Sequence, residues 1–70
     1  MLYNLQKIRK NNNLTYDSIA KKLNISKTYY WQIEHGKRRL SYSLALKIAA
    51  LFNMKPDDLF HEDIKNIDKF

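Results

Sequence analysis

Lys27, Thr28, Trp31, Gln32 and His35 bring a cation, a hydroxyl, a large aromatic, an amide and an imidazole into one short stretch of the chain. At about 100° per residue, Thr28, Trp31, Gln32 and His35 fall on one side of a helix, with Lys27 at their edge. Tyr30 and Ile33 fall opposite. One face therefore packs while the other is presented, and the presented groups are those that read base edges in a major groove. Lys27 suits guanine O6 and N7, Gln32 suits adenine N6 and N7, and Thr28 suits a thymine methyl. Gly36 and then Lys37, Arg38 and Arg39 follow at once. Cations on the segment leaving such a helix run along a phosphate backbone, where they position a protein without reading sequence.

The elements that must hold these residues lie between Thr15 and Gly36, TYDSIAKKLNISKTYYWQIEHG. Apolar spacing predicts two short helices packed across a tight turn, with Ile19, Ala20 and Leu23 on the first, Ile25 at the turn, and Tyr30 and Ile33 on the second. Thr15 is the expected cap of the first helix, with Asp17 facing its positive end, and Ser26 is the expected cap of the second, over about 26–35. Asn24 and Gly36 stand where left-handed backbone ends each helix. Ala20 is small where the two helices must approach.

An amphipathic first helix is predicted from Met1 to Asn12, with Leu2, Leu5 and Ile8 on its apolar stripe and the asparagine run 11–13 ending it. Leu14 should fill the space before the second helix, and Lys21 and Lys22 belong to a solvated face. Ser41 caps a helix from Tyr42 to Phe52, with Leu40 and Leu44 as a hydrophobic staple. That helix is apolar over more than half its circumference, so it is either central or shared with a partner chain. Asn53 closes it, and Pro56, Asp57 and Asp58 open a fifth helix whose Leu59 and Phe60 supply core contacts. Arg9 and Glu34 either meet across the core as a bidentate pair or are solvated separately, and spacing alone leaves this open.

The 70 residues bound one small domain, helped by good helix packing or a second copy. Residues 1–60 are read as that domain and 61–70 as a tail packing on the core or at a dimer interface. Without cysteine there is neither a disulfide framework nor a thiolate metal site. No apolar run reaches membrane-spanning length and no signal-peptide segment opens the chain, so a cytoplasmic address away from membranes is expected. The net charge of +6 is uneven: +7 over Met1–Leu40 and −1 over Ser41–Phe70. A polyanion is the economical partner for the basic half.

This layout resembles the Cro/C1-type helix-turn-helix family of phage repressors and bacterial regulators, also called the XRE family. The resemblance spans roughly Leu5 to Phe60. It is carried by Ile8-Arg9, Leu14-Thr15, Ile19-Ala20 with Leu23, Ile25-Ser26, Gln32-Ile33-Glu34-His35-Gly36-Lys37-Arg38, Leu44-Ala45-Leu46-Lys47-Ile48-Ala49 and Asp57-Asp58-Leu59-Phe60. It implies an all-α, compact five-helix, lambda-repressor-like domain with the motif on helices two and three. Position by position it implies a buried ion pair of Arg9 and Glu34, base contacts from Lys27, Thr28 and Gln32, and phosphate contacts from Tyr29 and Lys37. Tyr16 departs from the family pattern, standing where many members carry a glutamine that touches a phosphate and braces a base-reading side chain; its hydroxyl still reaches a phosphate oxygen. His35 replaces a common asparagine and Asn24 a common glycine. Trp31 occupies a position that is often small or polar, where it either touches a thymine methyl or sugar edge or covers part of a dimer or intramolecular surface.

The expected function is a sequence-specific double-stranded DNA-binding regulator, a repressor, acting as a homodimer on a two-fold operator. Lys27, Thr28, Trp31 and Gln32 are the expected base contacts, and Tyr16, Tyr29, His35, Lys37, Arg38 and Arg39 the expected phosphate contacts. Phe60, Ile64, Ile67 and Phe70 are the expected dimerisation residues. The competing reading is a protein-interaction module, such as the antitoxin of a toxin pair, with a toxin or antirepressor as partner. An enzyme is disfavoured, and no cofactor or metal is expected: His61 beside Glu62 and Asp63 reads better as solvated charge than as a metal site. Single-stranded RNA stacking fails because Tyr30 is needed in the core.

Overall fold

The computed structural model describes residues 1–60. They form α1 (Tyr3–Asn11), α2 (Tyr16–Leu23), α3 (Lys27–Glu34) and α4 (Tyr42–Leu51). A fifth helix, α5, opens at Pro56 and is described over 56–60. The fold is the expected all-α arrangement of five helices. Ile64, Ile67, Phe70, His61, Glu62 and Asp63 lie outside the described residues.

Side-chain caps start three of the helices. Thr15 Oγ1 accepts from the Ser18 N–H at 3.1 Å while Ser18 Oγ accepts from the Thr15 N–H at 2.8 Å, a reciprocal box that satisfies two donors. Ser26 accepts from Tyr29 N–H at 3.0 Å and Ser41 from Leu44 N–H at 3.1 Å. The first helix begins at Tyr3 rather than Met1, and no side chain caps it. Its lead-in is tied elsewhere: the Leu2 N–H donates to the Glu34 carbonyl at 2.8 Å, pinning the start of the chain to the end of α3. At its other end α4 stops at Leu51, with Phe52 as the C-cap residue.

All four of these helices end the same way. Asn13, Asn24, Gly36 and Asn53 have φ of 58°, 60°, 74° and 60°. Each sits in a double reverse hydrogen bond: Leu14 N–H to Arg9 O and Asn13 N–H to Lys10 O after α1, Ile25 to Ala20 and Asn24 to Lys21 after α2, Lys37 to Gln32 and Gly36 to Ile33 after α3, Met54 to Ala49 and Asn53 to Ala50 after α4. This is the Schellman cap, which needs left-handed backbone at one residue and normally an apolar residue just after it. Leu14, Ile25 and Met54 fill that apolar role against the core. After α3 the residue is Lys37, so that one helix exit is turned to solvent.

The core gathers Leu2 and Leu5 from the first segment, Ile19, Ala20 and Leu23 from α2, Tyr30 and Ile33 from α3, Leu44, Ala45, Ile48 and Ala49 from α4, and Leu59 and Phe60 from α5. Each large aliphatic buried this way contributes about 1.5–3 kcal/mol against leaving it in water. Ala20, 1% exposed, keeps α2 close to α3. On α4, the buried stripe leaves Tyr42 and Leu46 exposed, one turn apart. Phe60, an expected dimerisation residue, is 2% exposed and packs in this core, as also expected of it.

Candidate nucleic-acid interface

The presented side of α3 is fixed from beneath by an ion pair. Arg9 Nε donates to Glu34 Oε2 at 2.9 Å and Arg9 Nη2 to Glu34 Oε1 at 3.2 Å, with both side chains buried. Arg9 Nη1 donates to the Leu14 carbonyl at 2.7 Å. The Tyr30 hydroxyl donates to Glu34 Oε2 at 2.6 Å. The carboxylate thus accepts three hydrogen bonds, which is how a buried charge is kept from being an uncompensated cost. Burial works against the Arg9 charge, yet the hydrogen bond and field of Glu34 outweigh it and hold the guanidinium above its ordinary value. Burial first, then the Glu34 hydrogen bond and charge, push the Tyr30 hydroxyl well above the usual tyrosine range, with Arg9 pulling the other way. Together these contacts tie α1 to the C-terminal turn of α3.

Arg9 also leads outward. Its guanidinium lies 4.2 Å from the centroid of the Tyr16 ring. The Tyr16 hydroxyl is 3.1 Å from His35 Nε2. The His35 ring stacks on Trp31 at 4.0 Å between centroids and 18° between planes. A continuous row of Arg9, Tyr16, His35 and Trp31 therefore runs from the buried pair to the surface, ending on an indole that is 39% exposed. The structure brings Tyr16 and His35 together at this edge, half-buried, with their polar atoms on each other.

The rest of the presented face divides in two. Lys27 and Thr28 are exposed at the first turn of α3. Gln32 is half-buried one turn on, and its amide is taken up by the loop: Arg38 Nε donates to Gln32 Oε1 at 3.0 Å. The Arg38 guanidinium sits 4.8 Å from the Tyr29 ring centroid. Lys37, Arg38 and Arg39 are exposed along the segment leaving α3. Tyr29, Gln32 and Arg38 are therefore joined across α3 and the segment that leaves it, while Tyr16 stands on α2 and meets α3 through His35.

Three features of this site were not read from the sequence. The Tyr30 hydroxyl joins the ion pair, although an apolar ring is all that periodicity asks of that position. Tyr16 meets His35 across 19 residues. Gln32 is held by Arg38, because the left-handed Gly36 folds the chain back. The i, i+4 spacing of Tyr30 and Glu34 on one helix is a signal that could have found the first.

Among the described residues, no group of three His, Cys, Asp or Glu side chains is placed to hold a metal ion, and no helix is long and apolar enough to cross a membrane.

Residues 5–59 match the family model described as helix-turn-helix. An uncharacterized HTH-type transcriptional regulator of Methanocaldococcus jannaschii is 46% identical over 52 residues, covering 73% of this chain and 79% of that one. Another, from Archaeoglobus fulgidus, is 34% identical over 56 residues, covering 80% and 79%. No solved structure matches the chain significantly.

Proposed function

Because the chain belongs to the Cro/C1-type helix-turn-helix family of DNA-binding transcriptional regulators, we propose that it is a repressor that lays α3 in the major groove of a two-fold operator. In this reading Lys27, Thr28, Trp31 and Gln32 face base edges. Tyr16, Tyr29, His35, Lys37, Arg38 and Arg39 face phosphates. Two copies place their α3 helices about 34 Å apart, one helical turn of DNA. Occupying the operator then blocks polymerase.

The observation that supports this most is the coincidence of the exposed α3 face with the exposed basic segment 37–39, on a helix whose orientation is set by the buried Arg9–Glu34 pair. Phosphate-facing cations supply salt-dependent affinity, and base-facing groups supply choice. Residues 1–60 form the DNA-binding unit in this reading. The second copy meets the exposed side of α4 that carries Tyr42 and Leu46, together with the tail residues Ile64, Ile67 and Phe70. Sedimentation at micromolar concentration tests the dimer: a monomer that stays one copy per two-fold site removes it.

A protein-interaction module is the second reading, favoured by an open cavity of about 600 Å3 lined in part by Leu2, Leu40, Tyr42, Ala45 and Phe60. Selection of bound duplexes from a random pool, followed by salt titration on the winner, separates the two. An enriched two-fold motif with a steep negative salt slope, lost in Gln32→Ala, supports the regulator. Uniform weak binding rejects it and leaves the protein-binding reading.

A further inference from the structure

We propose that Arg38 determines which base Gln32 reads, turning that position from adenine to guanine. The inference rests on the reading of α3 as a major-groove helix and goes beyond it, because a lone glutamine in that place favours adenine.

Gln32 and Arg38 are joined at two levels. The Arg38 N–H donates to the Gln32 main-chain carbonyl at 3.2 Å, beside the Lys37 N–H at 2.8 Å, and the Arg38 Nε donates to Gln32 Oε1 at 3.0 Å. The backbone bonds exist because Gly36, at φ 74°, reverses the chain. The side-chain bond is steadied by the Tyr29 ring, 4.8 Å from the guanidinium carbon. Arg38 is thus held on three sides by α3 and its cap, so that besides the phosphate role assigned above it stands beside the edge that Gln32 presents.

The consequence lies in the pattern of donors and acceptors. Bidentate reading of adenine requires glutamine to accept from N6 and donate to N7. With Oε1 turned to Arg38, the outward edge of Gln32 is its Nε2 amino group, a donor. The remaining lone pair of Oε1 lies next to a guanidinium whose own N–H groups repel the adenine amino group. Arg38 keeps four more N–H donors on Nη1 and Nη2. The pair therefore offers donors side by side, which match the two acceptors of guanine, N7 and O6.

The test is duplex selection with the full chain, run in parallel on the natural protein, Gln32→Ala, Arg38→Ala and Arg38→Lys. Arg38 is exposed and Gln32 lies outside the buried core, so circular dichroism should show all three variants folded. The position read by Gln32 is the one whose preference collapses in Gln32→Ala. The natural protein is expected to select guanine there by about 5- to 150-fold, the discrimination of one good bidentate contact. Arg38→Ala is expected to move that single position to adenine. Arg38→Lys keeps the charge without the planar Nε donor, so it should shift the base while retaining the salt slope. An adenine preference in the natural protein overturns the proposal, as does a guanine preference that survives Arg38→Ala with only a uniform affinity loss, which would make Arg38 a phosphate contact alone. If the natural protein enriches no motif, the regulator reading itself fails and takes this inference with it.

Discussion

Arg9 and Glu34, 25 residues apart in sequence, meet in the interior through two hydrogen bonds of 2.9 and 3.2 Å. Removing either partner leaves the other charge buried and unmatched. Arg9→Leu or Glu34→Leu should therefore cost about 3–5 kcal/mol of unfolding free energy, a large share of the roughly 5–15 kcal/mol typical of a whole protein. The double variant removes both charges and should recover part of that loss, because the buried Tyr30 hydroxyl still lacks its acceptor. Urea titration of the three variants checks this. Single variants with unchanged midpoints would mean that the pair is solvated and contributes little.

Tyr30 should make the fold sensitive to alkali. Its hydroxyl is held above the usual range, so the folded chain keeps the proton after the unfolded chain has lost it. Below the ordinary tyrosine value, about 10, both states are protonated and the contribution is constant. Above it, stability falls with rising pH by about 1.4 kcal/mol per unit from this residue alone. Tyr30→Phe should cost about 1.5–3 kcal/mol at neutral pH, through loss of the bond to the Glu34 carboxylate. It should also flatten the alkaline decline. Equal slopes for both proteins between pH 10 and 11 would refute the assignment.

The four left-handed caps should respond to substitution by conformation rather than by space. A Cβ built on Gly36 meets only the Met1 backbone nitrogen, at 3.6 Å, an ordinary contact. The penalty of Gly36→Ala is then the left-handed backbone itself, about 1–2 kcal/mol. For a chain of this size each 1 kcal/mol lowers Tm by about 4–8 °C. Asn24→Gly should be tolerated and Asn24→Ala should not, because asparagine already relieves part of that strain. Thermal unfolding followed by circular dichroism ranks the variants, and an unperturbed Gly36→Ala would argue against this helix exit.

The same contrasts show what the sequence could and could not reveal. Thr15, Ser26, Ser41, Asn24 and Gly36 are legible because caps and left-handed positions are decided by a residue and its immediate neighbours. The core stripes are legible because periodicity survives packing. Gln32 with Arg38, and Tyr16 with His35, are not, since each pairing depends on how a turn redirects the chain. Phe60 is legible only in part: an apolar residue near the end of the described chain reads equally well as core or as interface, and its 2% exposure shows the core packing.

Lys27 and Lys37 should fail in different ways on DNA. Lys37 follows the helix cap and is assigned to a phosphate, so Lys37→Ala should reduce the slope of log affinity against log salt by about 0.9 and leave the ranking of sequences unchanged. Lys27, at the first turn of α3, is assigned to a guanine edge. Lys27→Ala should relax one position of the motif by about 1–3 kcal/mol. Salt titrations on matched and single-mismatch duplexes separate the two effects, and a Lys27 variant that loses affinity evenly on all sequences would move that residue to the backbone.

Trp31 is the chain's one tryptophan, so its emission reports on a single place. The indole stacks on His35 at 4.0 Å on one face and is 39% exposed. That stack orders the ring in advance, so that in the reading of α3 as a major-groove helix an apolar edge is ready for a thymine methyl. If the ring enters the groove, adding the selected duplex should change its emission and reduce quenching by iodide. Both changes should disappear as salt releases the complex. Trp31→Ala should weaken binding while leaving the salt slope intact, because no phosphate charge is involved. A duplex that binds tightly while iodide still reaches the indole as freely as before would take Trp31 out of the groove, and would leave the His35 stack as its only role.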